Sequence, residues 1–290
     1  MYFITEKTKS MRSENMEIIR NSIHVGIKEP FTVLHASDTH LTFADERDGE
    51  RKLILAENRS KAFPTAEEDL NFIKEKAAGE NRTLIYTGDL IDFVSELNIE
   101  KAKDFIDSVD CFFSAGNHEY SLFVGEAKED AAYRNQSLCK VQSAFKNDIR
   151  CSSRIINGVN FVAVDNSYYL FEKEQLDFLK GEAEKEFPVI LVVHTPLYTK
   201  ELYEFSRHGE EIPAYLMSVP EELMKDYSKH RYEQQKEDII TAEAFDFIKN
   251  CKNIKGILAG HLHENFAGHF TDNIYQIVTG LSTVREIYID

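Results

Sequence analysis

Glycine and proline are scarce: 13 and 6 among 290 residues exclude a collagen-like or linker-dominated chain. Basic residues are outnumbered, 34 against 50 acidic ones, which sets the net charge at −16 with histidine neutral. A surface of that sign repels nucleic-acid backbone and anionic membrane, so a nucleic acid polymer is disfavoured and no membrane partner is expected. No run approaches the roughly 20 apolar residues needed to cross a bilayer. Residues 1–30 scatter their apolar side chains among Glu, Lys, Arg and Ser, so no secretory leader is expected. Cys111, Cys139, Cys151 and Cys251 form no C-x-x-C pair and are expected to be reduced and mostly packed, which points to a cytoplasmic protein. Apolar residues are plentiful. At 42%, with 20 Phe and 13 Tyr, they suffice for a large core and exclude a disordered chain.

Short apolar runs recur, each ending in a polar cluster. Phe31–Ser37 leads into Asp38-Thr39-His40, Thr83–Thr87 into Gly88-Asp89, and Cys111–Ala115 into Gly116-Asn117-His118-Glu119. Pro188–Val193 leads into His194, and Gly256–Ala259 into Gly260-His261-Leu262-His263. Runs of this length and composition predict buried strands. Thr65-Ala66-Glu67-Glu68 predicts a capping box opening a helix to about Ala78. Amphipathic stretches predict helices over Ile99–Val109, Glu174–Phe187 and Ala242–Lys249. Asn157-Gly158 predicts a type I′ hairpin, and Phe266–Ile289 a strand meander with turns near Asp272-Asn273 and Gly280. The alternation argues for an α/β fold with mixed sheets. The chain is expected to be a single domain over 1–290, with insertions at 43–64 and 199–238 that could roof a site or be plain surface loops.

Ligands bind at the carboxyl ends of strands in open α/β sheets. Asp38, His40, Asp89, Asn117, His118, His194, His261 and His263 all fall there. Imidazoles and carboxylates without thiolate suit Mn, Fe, Zn, Co or Ni rather than Ca. In extended backbone, residues two apart point the same way, so Asp38 with His40 could grip one ion, and so could His261 with His263 unless their turn is tight. Glycines before Asp89, Asn117 and His261 would let the chain bend sharply. Other polar residues have plainer readings: packing for His35, a turn for Asp165 and Asn166, solvent for Arg207 and His208. Tyr198, Tyr203 and Tyr215 could line a pocket, ordinary packing being the alternative.

The five clusters, in this order, resemble the calcineurin-like metallophosphoesterases, whose pattern is D-x-H, G-D, G-N-H-D/E, H and G-H-x-H. The likeness runs from about Phe31 to His263. It implies a two-layer mixed β-sheet sandwich flanked by helices, holding two divalent or mixed-valence transition-metal ions about 3.5–4 Å apart with a bridging hydroxide. One ion would take Asp38, His40 and His263; the other would take Asn117, His194 and His261. Asp89 would bridge them through its two oxygens. His118, oriented by Glu119, would be left as the catalytic acid. Two such ions would leave the site weakly positive within an acidic chain, as an anionic small-molecule phosphoester requires. Departures narrow the resemblance. Asp92 stands where purple acid phosphatases carry tyrosine, and the arginine of the protein phosphatases' G-D-x-x-D-R-G is absent. His194-Thr195-Pro196 is similar to the H-x-P of bacterial cyclic-nucleotide phosphodiesterases. Phosphodiester and phosphomonoester hydrolysis both stay open, with a non-catalytic scaffold or a nuclease as alternatives.

Overall fold

In the computed structural model, which describes residues 7–9, 16–126, 128–209 and 213–290, the five apolar runs form five strands. These are β3 (Phe31–Ala36), β4 (Leu84–Tyr86), β5 (Cys111–Phe113), β8 (Val189–Val192) and β9 (Ile254–Ala259). The others are β1 (Lys7–Lys9), β2 (Glu17–Ile23), β6 (Cys151–Ile156), β7 (Val159–Val164), β10 (Phe266–Thr271), β11 (Ile274–Val278) and β12 (Thr283–Ile289). They make two six-stranded mixed sheets, β1-β2-β12-β3-β4-β5 and β10-β11-β9-β8-β7-β6.

The runs lack polar alternation because both faces of each sheet are covered. Ile23, Val33, Ile85 and Phe112 of the first sheet meet Phe161, Ile190, Val192 and Leu258 of the second in one buried cluster. A Cβ on Gly256 would come within 2.9 Å of the Ile23 side chain, so the sheets approach most easily where β9 has none. On the outer face of the first sheet, Leu34, Leu84, Tyr86 and Phe113 pack with Leu70, Ile73, Ala102 and Phe105 of the helices Ala66–Glu80 and Glu96–Ser108. On the outer face of the second, Val164, Leu191 and Ile257 pack with Leu176, Leu179, Ala244 and Ile248 of the helices Lys173–Ala183 and Ile239–Asn250. The α/β sandwich is therefore as expected.

Local details differ. Thr65 gives no side-chain cap; its hydroxyl donates to Asp69 Oδ2 at 3.0 Å instead. The helix Glu96–Ser108 starts three residues before Ile99 because the Ser95 hydroxyl caps it, accepting from the Asn98 amide at 3.0 Å. Asn157 and Gly158 have φ of 47° and 84° between the paired Ile156 and Val159, the geometry of a type I′ turn. The predicted meander breaks after β11: β12 leaves for the first sheet, parallel to β2 and antiparallel to β3. It carries Val284 for one face and Ile287 and Ile289 for the other, so only a central position buries both. Of the four cysteines only Cys111 is buried, and Cys139 is exposed. No helix among the described residues is long and apolar enough to cross a membrane. The expectation of no leader falls partly on residues 1–6 and 10–15, and the expected insertion at 199–238 includes 210–212, all outside the described residues.

Candidate metal centre

Five strands stop at one edge of the sandwich, and the turns that follow carry the predicted side chains. Asp38, His40, Asp89, His261 and His263 all have left-handed backbone, with φ of 59°, 51°, 54°, 71° and 60°. The expected convergence of Asp38 with His40 is thereby corrected: the pair meets the site through left-handed backbone and not through the pleat of an extended strand. His261 with His263 takes the tight turn excepted from that expectation. Of the preceding glycines only Gly88 has positive φ, at 90°. Gly116 and Gly260 serve close approach: a Cβ on Gly116 would collide with Asp89 Oδ1, and one on Gly260 with the Ser37 hydroxyl and with Asp38 Oδ2.

The side chains gather in two groups around one oxygen. In the first, His263 Nε2 lies 2.9 Å from His40 Nε2 and 3.5 Å from Asp38 Oδ1. In the second, His261 Nδ1 lies 3.0 Å from His194 Nε2. Asp89 Oδ2 stands between them, 3.7 Å from His40 Nε2 and 3.2 Å from His194 Nε2. Asp89 Oδ1 accepts from the His118 amide at 2.9 Å, so a single carboxylate oxygen faces both groups, and not one oxygen each as expected.

Each ring is aimed by its outer nitrogen. His40 Nδ1 donates to Asp92 Oδ1 at 3.0 Å and His194 Nδ1 to the Thr87 carbonyl at 2.6 Å, leaving both Nε2 lone pairs inward. Asn166 Oδ1 accepts from the amides of His194 and Thr195 at 3.1 and 3.0 Å, so it steadies this turn without entering the site. Burial opposes charge on Asp89, but His194, His118 and His40 hold its carboxyl well below the ordinary range. Burial, and then His194, push His261 well down, keeping that ring a lone-pair donor.

These residues fit divalent ions. Asp38, His40, Asp89 and His263 form one set of nitrogen and oxygen donors, and Asp89, His194 and His261 another. Nitrogen and oxygen donors without sulfur suit first-row transition ions. The facing Nε2 atoms of His40 and His263 repel each other unless a proton or a cation lies between. Asn117 adds an independent sign. Its Nδ2 donates to Glu129 Oε1 at 3.3 Å, while its buried Oδ1 has no hydrogen-bond partner. An orphaned buried carbonyl oxygen is costly, and a cation would satisfy it.

A family profile described as calcineurin-like phosphoesterase matches residues 31–265. The chain belongs to the calcineurin-like phosphoesterase family. No curated protein matches the sequence. Solved structures similar to it include a dimetal phosphatase from Danio rerio, at 14% identity and TM-score 0.48, covering 86% of this chain and 87% of that one. A phosphopantetheinyl hydrolase from Mycobacterium tuberculosis is 12% identical with TM-score 0.44, covering 86% and 89%. A 5′-nucleotidase from Candida albicans is 15% identical with TM-score 0.39, covering 86% of this chain and 45% of that one.

Within this calcineurin-like phosphoesterase, His118 sits beside the two groups and is held by Asp92. Its Nδ1 donates to the Asp92 carbonyl at 2.7 Å and lies 3.2 Å from Asp92 Oδ1. Glu119 does not orient it, contrary to expectation. The Glu119 carboxylate is buried under the loops and accepts from the amides of Asp89, Leu90 and Gly116 at 2.7 Å each and of Ile91 at 3.2 Å. The turn after His118 aims the next side chain inward, at backbone donors that would otherwise lack acceptors. Burial opposes protonation of His118, but Asp89 and Asp92 outweigh it and raise the ring to about 10. Cations seated on Asp89 would cancel part of that support.

Segments 43–64 and 199–238 both frame the site. From 43–64, Arg59 donates to Asp92 at 2.6 and 2.8 Å, and Phe63 stacks on His40 with centroids 4.1 Å apart. From 199–238, His208, Tyr215 and Arg231 join Asp89, Asn117 and His118 in lining a cleft of about 450 Å³. Arg207 reaches Tyr203 instead, donating to its hydroxyl at 2.9 Å, and Tyr198 and Tyr203 pack into the second-sheet core. His35 is buried between the Thr87 and Thr279 hydroxyls at 2.9 and 2.8 Å. Sequence reasoning missed Asp92, Arg59, Tyr169 and Arg231. The spacing of Asp92 from Asp89, inside a loop that already carried one ligand, was the one available signal.

Proposed function

We propose that this calcineurin-like phosphoesterase hydrolyses a small-molecule phosphoester at a two-ion centre. Asp38, His40 and His263 would hold one ion, Asn117, His194 and His261 the other, with Asp89 shared between them. The observation that carries the reading is the single Asp89 oxygen facing both groups, beside the orphaned Asn117 Oδ1. Divalent ions bound there would supply Lewis acidity toward phosphoryl oxygens and water of lowered pKa.

The chain's own part is to bind, orient and move a proton. Asp92 fixes His118 Nδ1, which leaves Nε2 facing the cleft as the proton donor for the leaving oxygen. Arg59 keeps Asp92 ionised and so keeps His118 charged for that transfer. Glu119 acts at one remove, holding the loops of Asp89 and Asn117 together. A cleft of about 450 Å³ suits a small molecule, and the net charge of −16 disfavours a polymeric nucleic acid.

Elemental analysis paired with Mn-dependent hydrolysis of p-nitrophenyl phosphate and its bis ester tests this. Two transition ions per chain with turnover are expected, and the preferred ester identifies the monoesterase or diesterase branch. Two ions without turnover on any phosphoester would favour a scaffold, and no ions after reconstitution would remove the proposal.

A further inference from the structure

Insertion 199–238 sends two hydrogen-bonded chains inward from the helix Lys229–Gln235, and both end on one candidate ion site. Arg231 Nη1 donates to Tyr169 Oη at 3.2 Å, and Tyr169 Oη lies 2.7 Å from His261 Nε2. Gln234 donates to Glu129, whose other oxygen accepts from Asn117 Nδ2 at 3.3 Å. His261 and Asn117 belong to the same proposed ion. The Arg231 guanidinium lies over the Tyr215 ring, 4.6 Å from its centroid, and 5.8 Å from that of Tyr169. It makes no salt bridge among the described residues. The cleft's acids are already engaged, Glu129 as above and Glu264 by His208 at 2.7 Å.

Tyr169 has φ of 66° although it is bulky and buried. Non-glycine residues held in this conformation cluster at ligand sites, where surrounding structure enforces the strain. Its hydrogen bonds give the strain a use. His261 points Nδ1 at His194 and the ion site, so its Nε2 carries the proton and donates to Tyr169 Oη. Arg231 donates to the same oxygen. Both phenolic lone pairs are then taken, and the Tyr169 O–H is left for the cleft.

Resting on the two-ion phosphoester reading, we propose that Arg231 and Tyr169 form a subsite for a second anionic group of the substrate, phosphoryl or carboxylate, lying beyond the reacting phosphate. The guanidinium is set back from the ion by the Tyr169 oxygen and the width of the His261 ring, so it meets the next group along and not the phosphate on the ions. A planar fork of N–H donors beside an O–H suits a tetrahedral or planar oxyanion. The exposed Tyr215 ring, behind the guanidinium, holds the fork in place.

Calorimetric titration of the Mn-loaded protein with non-hydrolysable probes tests this without turnover: methylphosphonate with one anionic group, methylenediphosphonate and phosphonoacetate with two. The wild type is expected to prefer a two-group probe to methylphosphonate by about tenfold or more, and Arg231→Gln to lose about tenfold of that preference. Tyr169→Phe should lose less in the same direction, and Arg231→Lys should keep part. Which two-group probe wins separates phosphoryl from carboxylate. An unchanged preference in Arg231→Gln, equal weakening toward all probes, or loss of bound ions in that variant would overturn the subsite. Failure of the wild type to bind methylphosphonate would instead overturn the two-ion reading beneath it, and the subsite with it.

Discussion

The His118 amide donates to Asp89 Oδ1 at 2.9 Å, and that bond turns the other carboxylate oxygen toward His40 and His194. The residue proposed to deliver the proton therefore also aims the residue proposed to join the ions. Because the bond comes from backbone, side-chain changes at the two positions separate cleanly.

Asp89→Asn keeps that hydrogen bond but removes the charge both groups share. It is expected to lose both ions on dialysis, and elemental analysis checks this. Retention of two tightly held ions would contradict the bridging role.

His118→Ala is expected to retain both ions and to lose about 10²–10⁴-fold in turnover. Wild-type turnover on both p-nitrophenyl esters would remove His118 from the reaction.

Arg59→Met addresses the pH dependence. Burial pushes the Asp92 carboxyl up, but Arg59, then His118 and His40, hold it below the ordinary range. Without the guanidinium its pKa rises, so activity lost on acidification should be lost at higher pH than in the wild type. A pH–rate profile reads the shift, and an unmoved acidic limb would exclude Arg59 from positioning Asp92.

His35 gives a stability prediction away from the centre. Burial, and then Arg285, lower its pKa from 6.5 to about 3. Between those values the unfolded chain binds more protons than the folded one, so stability falls as pH drops through that window. One such group contributes a slope of about 1.4 kcal/mol per pH unit. Urea unfolding of the metal-free His35→Gln protein should show that slope reduced relative to wild type, and an identical slope would mean that His35 titrates normally.

Much of the centre was legible because each donor cluster directly follows an apolar run, so chain order alone brings Asp38, Asp89, Asn117, His194 and His261 to one edge. The residues that aim them were not. Arg59 lies in the helix Glu50–Ser60, whose charge-rich sequence has the composition of a solvated face, and Arg231 in a segment without strand periodicity; their partners are set by packing across distant parts of the chain. Glu119 follows His118 in sequence, yet the turn sends the two side chains to opposite sides of the loop. The crossing of β12 was hidden for a related reason: pairing with β2 and β3 depends on burying two faces, which local alternation after a hairpin does not reveal.

The left-handed backbone at Asp38, His40, Asp89, His261 and His263 makes these positions poor sites for an alanine scan. Aspartate enters that conformation more readily than alanine, and histidine is likewise enriched there. Each alanine would remove a donor and also place an ill-suited residue in a strained turn. Glycine adopts the conformation freely, so the difference between the glycine and alanine variants at one position would isolate the backbone contribution from the loss of the donor.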